Sequence, residues 1–459
     1  MYLSKYVCVA GLSLCGATAI SATDRPNVVF ILVDDLGCSD LNFIGHKKLN
    51  TPNIDNLVKE SMFFTDAYAS APVSSPTRAS ILTGRYPAEL KLTCHIPGLK
   101  MEKYLQNMKK DFPLGEAFFT DHLKEGTHTL ATISKKGGYK NAFIGKWHLA
   151  GDGSIYTDDG CVNKEWNPEN YDFDINIGGC SYGQPSSYFA PYKNHYIKEK
   201  SNGEYLTDRL GDEAVNFIEA NSPEKTGKPF FLYLSFYAVH TPYQVPGEVI
   251  EQNDGNKYFA LIQKMDENVG KVLQTLKKCG LDQNTVVIFY SDNGGVSTNP
   301  PFSEKKGSLK EGGIRVPLII RWPKMIKPGT KCEIPVTSTD FFPTFCDLMN
   351  VETMKKESSG QSVYPILCGN VQEWNERAIY WHFPHNRKGI EYAMGSAIRE
   401  GDWKLIYSYT RKKSFLFNLK NDPKEIDNLS EKYPLKMKEL NEKLNLWIEN
   451  INAEMPDYK

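Results

Sequence analysis

The sequence SSPTRASILTGR, residues 74–85, predicts a tight loop that leads into a short helix. Ser75 suits the N-cap, Pro76 suits the first turn, where a missing N–H costs nothing, and Gly84 suits the end. A helix N-terminus favours an anion, and Arg78 adds a full positive charge one turn later. Taken alone, the segment is more typical of a capped helix without chemistry, because Ser-Pro caps are common.

Continuous apolar runs on both sides of this segment predict strands that are buried on both faces. Amphipathic segments with helical spacing separate the runs, which is typical of an α/β fold with a mostly parallel sheet. The predicted strands are 27–33, 141–144, 229–239, 285–290 and 318–321, and the predicted helices include 129–136, 207–220 and 258–278.

Polar side chains follow four of these strands within a few residues. They are Asp34 and Asp35, Lys146 and His148, His240, and Asp292 and Asn293. Ligands of open α/β sheets bind outside the carboxyl ends of the strands, so we expect these side chains to converge. Three carboxylates and an amide suit a hard divalent cation, and the two histidines suit acid–base chemistry near neutral pH. Arg78, Lys146 and Lys306 suit an anion.

The chain changes character after residue 371. Short apolar runs at 378–382, 396–399, 403–407 and 414–419 predict an antiparallel meander, which a helix at 435–452 follows. We therefore predict a main domain at 23–371, which carries the polar strand ends, and a C-terminal subdomain at 372–459. The segments 85–126 and 152–203 are expected to be long irregular inserts.

The first 22 residues predict a secretion signal. Lys5 supplies a charge, and the apolar run at 7–20 is too short to span a bilayer. Cys15 leaves a lipid-anchored surface form open, but plain export is favoured because Leu14 is a poor neighbour for a lipidated cysteine. No later stretch of the sequence is long and apolar enough for a stable membrane span. We expect an exported, periplasmic protein.

Charge and cysteine usage limit the classes of partner and cofactor. A net charge of −1 gives no reason to expect nucleic acid as a partner. The cysteines outside the leader are scattered and form no CxxC pair, which argues against a zinc or redox motif. Cys161 and Cys180 either pair after export or stay buried thiols, and both interpretations remain open.

Taken together, the motifs resemble the type I sulfatases, the formylglycine-dependent, arylsulfatase-like enzymes of the alkaline phosphatase superfamily. The resemblance rests on NVVFILVDDLG, TPNIDNL, SSPTRASILTGRYP, GKWHL, AVHTPY, YSDNGG, KGSLKEGGIRVP, SAIREGDWKLI and LFNLKNDPKEIDNL. It covers nearly the whole chain after the leader, and Ser-x-Pro-x-Arg followed by Thr-Gly-Arg is its most specific part. It implies a large, mostly parallel sheet sandwiched by helices, with a smaller C-terminal α+β subdomain built on an antiparallel sheet.

The resemblance implies that Ser74 is oxidised after translation to formylglycine. The hydrated form is a geminal diol, one oxygen of which would bind Ca²⁺ and attack sulfur. Arg78 matches the residue that orients and charge-stabilises the formylglycine. The other metal ligands are implied to be Asp34, Asp35, Asp292 and Asn293.

The same resemblance assigns roles to the remaining basic residues. Lys146 and Lys306 match the residues that bind the sulfate oxygens, and Lys305 is expected to be a solvated neighbour. His240 matches a sulfate-binding residue that protonates the leaving alcohol. His148 matches the base that helps the diol to collapse and release sulfate.

A serine at the modified position resembles the enzymes of anaerobic bacteria. Their maturating enzyme, a radical iron–sulfur protein, acts in the cytoplasm before export. The resemblance therefore implies such an enzyme as a partner of Ser74.

The sequence thus predicts a sulfuric-ester hydrolase that acts on sulfated carbohydrates, where the carbohydrate is inferred from the resemblance and not from any residue. One alternative is a phosphodiesterase or phosphonate monoester hydrolase of the same superfamily, which shares the metal-site plan. Another is a non-catalytic glycan-binding protein with an unmodified Ser74. His95, His382 and His385 are candidate sugar contacts, although ordinary structural histidines are the favoured interpretation.

Overall fold

The fold is described from a computed structural model of the chain. The structure describes residues 25–46, 48–98, 100–112, 114–151 and 163–457. The predicted leader at 1–22 and Cys161 lie outside these residues, so the signal peptide and the disulfide stay predictions. The division into domains at residue 371 also stays a prediction.

Strands and helices alternate over most of the described chain. The strands are β1 (Asn27–Val33), β2 (Met62–Phe64), β3 (Ala67–Tyr68), β4 (Lys140–Gly145), β5 (Ile175–Ile177), β6 (Phe230–Ser235), β7 (Thr285–Ser291), β8 (Leu318–Arg321), β9 (Thr330–Cys332), β10 (Val336–Thr337), β11 (Ile379–Phe383), β12 (Gly395–Glu400), β13 (Trp403–Ser408) and β14 (Lys413–Asn418). The helices are α1 (Pro52–Lys59), α2 (Ser74–Thr83), α3 (Met101–Asp111), α4 (Leu130–Lys136), α5 (Leu206–Ala220), α6 (Pro223–Thr226), α7 (Gly247–Gln252), α8 (Lys257–Lys278), α9 (Glu311–Ile314), α10 (Phe341–Leu348), α11 (Tyr364–Leu367) and α12 (Pro434–Asn450).

An eight-stranded sheet with the order β5-β4-β6-β1-β7-β8-β2-β9 forms the centre of the molecule. The first five strands in this order, β5, β4, β6, β1 and β7, run parallel to one another. β8 runs antiparallel to both β7 and β2, and β2 is parallel to β9. The predicted large, mostly parallel sheet is therefore confirmed. Its polar strand ends follow β4, β6, β1 and β7, which are consecutive in the sheet.

Helices cover both faces of this sheet because β1 is apolar on both sides. Val29 and Ile31 lie in the same apolar cluster as residues of α5 and α8. Phe30 and Leu32, whose side chains alternate with these, lie in a second cluster with residues of α2, α4 and α10. A fully buried parallel strand needs this cover on each face.

A four-stranded antiparallel sheet, β11-β12-β13-β14, follows in sequence. Ile398 and Leu405 on one face pack with Leu444 of α12. Trp381 on the other face belongs to the cluster that contains Tyr68. The predicted C-terminal antiparallel sheet with a terminal helix is therefore confirmed.

Three predicted segments differ from the structure. The insert at 152–203 was expected to be irregular, but it contains β5, which pairs with β4 in the central sheet. The insert at 85–126 contains α3, whose residues Met101–Asp111 were expected to be irregular. The strand predicted at 229–239 ends at Ser235, because the chain then bends across the end of β1. There the N–H of Phe236 donates to the Leu32 carbonyl at 2.9 Å, and the N–H of Val239 donates to the Asp34 carbonyl at 2.8 Å.

Among the residues that the structure describes, no helix is both long enough and apolar enough to cross a bilayer.

Candidate functional site

Ser74 is the first residue of α2, and only 2% of its surface is exposed. The predicted N-cap role of Ser75 is wrong, because the helix begins at Ser74, two residues earlier than predicted, and Val73 is its extended N-cap. Ser75 instead accepts a hydrogen bond from the N–H of Ile96 at 3.0 Å. The predicted end of the helix is confirmed, since Gly84 follows Thr83 with a φ of 68°.

The Ser74 hydroxyl points at residues from the ends of β1 and β7. Its Oγ lies 3.2 Å from Asp34 Oδ1 and 3.3 Å from Asn293 Oδ1. The amide nitrogen of Asn293 donates to Asp35 Oδ1 at 2.8 Å, which turns the amide oxygen towards Ser74. The N–H of Asp35 donates to Asp292 Oδ1 at 3.1 Å. The structure thus brings together all five residues that the sequence predicted as metal ligands.

The donor set of this cluster fits a hard cation. Oxygens of Asp34, Asp35 and Asp292 lie within 4.8 Å of one another, and all three side chains are buried. Burial and the neighbouring Asp292 raise the pKa of Asp34 to about 8. Such crowding of buried carboxylates is relieved by a divalent cation, and a set made only of carboxylate, amide and hydroxyl oxygens suits Ca²⁺.

Arg78 lies in the middle of the site and pairs with Asp292. Its Nε donates to Asp292 Oδ2 at 2.9 Å, and its Nη2 lies 2.8 Å from the same oxygen. Its Nη1 donates to the Lys146 carbonyl at 2.9 Å and to Ser235 Oγ at 2.7 Å. Burial acts to raise the pKa of Asp292. The charge of Arg78 acts against burial and helps to hold this pKa below its usual value. Arg78 therefore locks β6, β7 and the end of β4 around α2.

Two lysines place positive charge on two different carboxylates of the cluster. Lys146 Nζ lies 2.5 Å from Asp34 Oδ2, and the lysine side chain is completely buried. Lys306 Nζ lies 2.5 Å from Asp35 Oδ1. Although burial alone would raise it, Lys306 and the nearby His240 hold the pKa of Asp35 well below its usual range. The anion cradle that the sequence predicted from Arg78, Lys146 and Lys306 is assembled in one place.

His148 presents one ring nitrogen as a free acceptor. Its Nε2 donates to the Ile96 carbonyl at 3.0 Å, because a carbonyl oxygen can only accept. Burial and the charge of Lys146 hold the pKa of His148 well below its usual value, so the ring is neutral. Among the residues that the structure describes, Nδ1 has no hydrogen-bond partner although it is buried. This nitrogen therefore carries an unused lone pair, as a general base requires.

His240 faces the cluster from the chain that leaves β6. Its Nε2 lies 3.7 Å from Asp35 Oδ2, and its Nδ1 contacts the Thr241 carbonyl at 2.9 Å. Burial lowers the pKa of His240 to about 4, and Lys306 and Lys146 act in the same direction. The ring is therefore neutral at neutral pH until added negative charge raises its pKa.

Sequence reasoning missed Ser235 and the backbone of Ile96 as members of the site. Ser235 is the only serine in the apolar run PFFLYLSFYAV, and a serine among apolar residues was a usable signal. Ile96 gave no signal, because only its backbone atoms contact His148 and Ser75. A main-chain contact depends on the fold and not on the residue type.

Two of the candidate sugar-contacting histidines are buried in hydrogen bonds of their own. His385 contacts Thr93 Oγ1 at 2.8 Å and Glu116 Oε2 at 3.1 Å. His382 contacts Ser396 Oγ at 2.7 Å and the Glu454 carbonyl at 2.8 Å. The favoured structural interpretation fits both residues.

Comparisons with known protein families match most of the chain. The profile of the sulfatase family matches residues 26–351. A second profile, described as the C-terminal region of N-sulphoglucosamine sulphohydrolase, matches residues 304–454. Together the two profiles cover both sheets.

Individual relatives and structures give the same result. A sulfatase of Formosa agariphila is 28% identical over 97% of this chain and 92% of its own length. The N-acetylgalactosamine-6-sulfatase of Mus musculus is 29% identical over 74% of this chain and 66% of its own length. The crystal structure of Ps i-CgsB in complex with k-i-k-neocarrahexaose superposes with a TM-score of 0.76 at 29% identity, over 92% of each chain.

Proposed function

The chain belongs to the sulfatase family, and from this premise we propose that it removes sulfate from sulfated carbohydrates with formylglycine made from Ser74. The protein is a sulfuric-ester hydrolase; its carbohydrate substrate, its modification and its calcium ion are the proposal. The observation that carries the proposal is the contact of Ser74 Oγ with Asp34 and Asn293 beside three cationic side chains.

Two groups complete the proposed site. Formylglycine at position 74 supplies, in its hydrated form, a diol oxygen as the nucleophile towards sulfur. Asp34, Asp35, Asp292 and Asn293 would hold the Ca²⁺ ion, which supplies positive charge where negative charge develops. Arg78 orients position 74 through its contacts with Asp292 and the end of β4.

The basic residues bind the sulfate and move protons in this proposal. Lys146 and Lys306 bind sulfate oxygens, because their ammonium groups already reach the carboxylates that border Ser74. His240 protonates the leaving alcohol, since the bound anion adds negative charge and raises the pKa of this buried ring. After the alcohol has left, His148 accepts at its free Nδ1 the proton of the remaining hydroxyl at position 74. The aldehyde then re-forms and its bond to the sulfate oxygen breaks, which releases sulfate.

Sulfated carbohydrate is the proposed substrate class. Support comes from two similar proteins, an N-acetylgalactosamine-6-sulfatase and one whose structure is in complex with k-i-k-neocarrahexaose. We further propose that the chain is exported to the periplasm after a maturating enzyme has modified Ser74 in the cytoplasm. If a variant that lacks residues 1–22 stays in the cytoplasm, this result would support the proposed export.

The decisive experiment follows Ser74 and sulfate release together. The chain is co-expressed with a radical maturating enzyme, and the peptide that contains Ser74 is weighed by mass spectrometry. We expect a mass about 2 Da lighter than serine gives, or its hydrate, together with sulfate release from a panel of sulfated sugars. The Ser74→Ala variant should release none.

Two outcomes would contradict the proposal. Faster hydrolysis of phosphate esters than of matched sulfate esters would favour a phosphodiesterase or phosphonate monoester hydrolase. Binding of sulfated glycans without turnover, by a protein whose Ser74 stays unmodified under co-expression, would favour a glycan-binding protein.

A further inference from the structure

A cavity of about 440 Å³ lies between α3 and the loop that follows β11. Its volume is within the range of small-molecule pockets. Tyr104 and Met108 of α3 and the neighbouring Phe112 provide an apolar wall, and Arg387 and Lys388 provide a basic one. An apolar wall opposite cationic groups suits a sugar ring that carries a negative charge.

The cavity adjoins the residues around Ser74 at two points. On one side His95, which lines the cavity, directly precedes Ile96, whose carbonyl lies 3.0 Å from His148 Nε2. On the other side Arg387 packs on Gly307, where an added Cβ would lie 3.1 Å from Arg387 Cγ. Gly307 directly follows Lys306, and adjacent Cα atoms are about 3.8 Å apart.

Arg387 forms no ion pair with a carboxylate among the residues that the structure describes. Arg387 itself is half-buried. The arginines that the structure describes as buried each have an acidic partner at 2.8 or 2.9 Å; they are Arg78, Arg209, Arg321 and Arg399. Arg387 instead donates through Nη2 to His95 Nδ1 at 2.8 Å. Its Nε is buried and has no hydrogen-bond partner among the described residues.

The neighbours of Arg387 leave that charge available. Burial, together with the charge of Arg387, keeps the pKa of His95 well below its usual value, so His95 is a neutral acceptor. The nearby carboxylate of Glu116 is already used by His385 and by the N–H of Asn386. A buried guanidinium donor without a partner is costly, and an anionic ligand removes that cost.

We propose that Arg387 is a specificity-determining residue that binds a second anionic group of the substrate, a carboxylate or a further sulfate ester. This group lies on the same sugar as the cleaved ester or on the next one. The inference rests on the proposed function, and it narrows the substrate class to glycans with more than one negative charge near the reacting position.

The test compares matched saccharides that differ by one anion. N-acetylgalactosamine 6-sulfate and the chondroitin 6-sulfate disaccharide differ by a uronate, and κ- and ι-carrageenan tetrasaccharides differ by additional sulfate esters. Calorimetric titrations use the catalytically silent Ser74→Ala protein, with and without Arg387→Gln. Arg411→Gln is the matched control, because Arg411 pairs with Glu391 on the surface of the same sheet region.

We expect the more highly charged member of at least one pair to bind roughly 10–100-fold more tightly, and Arg387→Gln to remove that difference. The pair that responds identifies the anion as carboxylate or sulfate. Arg411→Gln should keep the difference. The proposal is overturned if no pair shows a difference, or if Arg387→Gln weakens both members of the pair equally. Sulfate release from an aryl sulfate by the wild-type enzyme tests the sulfatase activity separately.

Discussion

At the scale of single residues, His148 shows how the main chain can fix the chemistry of a side chain. The Ile96 carbonyl accepts a hydrogen bond from the Nε2–H group of His148. The lowered pKa of His148 keeps the ring neutral. The free Nδ1 therefore results from a tautomer that the fold imposes.

His148→Gln should separate this role from binding, because the glutamine amide nitrogen still reaches the Ile96 carbonyl but accepts no proton. We expect kcat to fall about 10²–10⁴-fold. Pre-steady-state kinetics should show a burst of about one equivalent of alcohol per modified enzyme, followed by slow turnover, if His148 acts after the alcohol leaves. Loss of the burst as well as turnover would contradict this order.

The carboxylates around Ser74 predict a calcium-dependent melting temperature. Protein treated with a chelator should gain about 3 kcal/mol on addition of Ca²⁺ at one hundred times its dissociation constant, which is a rise of a few degrees. Asp292→Asn should remove most of the gain in differential scanning calorimetry. Asp422→Asn is the control, since this surface turn carboxylate accepts backbone N–H groups of Ile426 and Asp427. An unchanged gain in Asp292→Asn would contradict the assigned ligand set.

At the scale of elements, α2 is held by its end as much as by its beginning. Gly84 has a φ of 68°, and a Cβ there would lie 2.4 Å from Phe342 Cβ and 2.5 Å from Ser358 Oγ. The helix that presents Ser74 therefore ends against α10 with no space for a side chain.

Gly84→Ala should destabilise the protein by about 2–4 kcal/mol, from left-handed backbone strain plus overpacking. Gly227→Ala is a matched control, because Gly227 has a φ of 69° and nothing within 4 Å of its added Cβ. We expect the control to lose only about 1–2 kcal/mol in urea unfolding. Equal losses in the two variants would show that packing against Phe342 contributes nothing.

The sequence was informative where an element follows from its own residues. The apolar runs predicted β1, β4 and β7, and the rule for strand ends predicted that Asp34, Lys146 and Asp292 would converge. It was misleading where a neighbour decides the outcome. Ser75 was predicted to be the N-cap of α2, but its hydroxyl accepts a hydrogen bond from the N–H of Ile96. The helix α3 was not predicted, because its segment is polar and rich in lysine. Such contacts are set by chain segments that are distant in sequence.

At the scale of the whole molecule, a buried ionic group joins the two sheets. Lys404 of β13 is fully buried between Glu311 of α9 at 2.8 Å and Glu425 at 2.9 Å. Burial, opposed by Lys404, raises the pKa of Glu425 to about 7. Burial acts to raise the pKa of Glu311, but Lys404 and Arg315 act in the opposite direction, and the pKa is lowered to about 2.

Glu425 should make the stability of the molecule fall as the pH rises from about 4.5 to about 7. In that window the folded state keeps a proton that the unfolded state has lost, so unfolding becomes easier by on the order of 3 kcal/mol. Urea midpoints at pH 5, 6, 7 and 8 should show a flatter profile for Glu425→Gln. The exposed Glu431→Gln should follow the wild type, and identical profiles for all three proteins would contradict the assignment.

The burial of Ser74 also sets a schedule for biosynthesis. With 2% of its surface exposed, Ser74 is out of reach of another enzyme once α2 has docked. Its partner Asn293 lies 219 residues further along the chain, so the ribosome needs about 10–45 s at 5–20 residues per second to complete that contact. The modification we propose must occur within this interval or while export keeps the chain unfolded. Slower translation between these two positions should therefore raise the yield of modified protein.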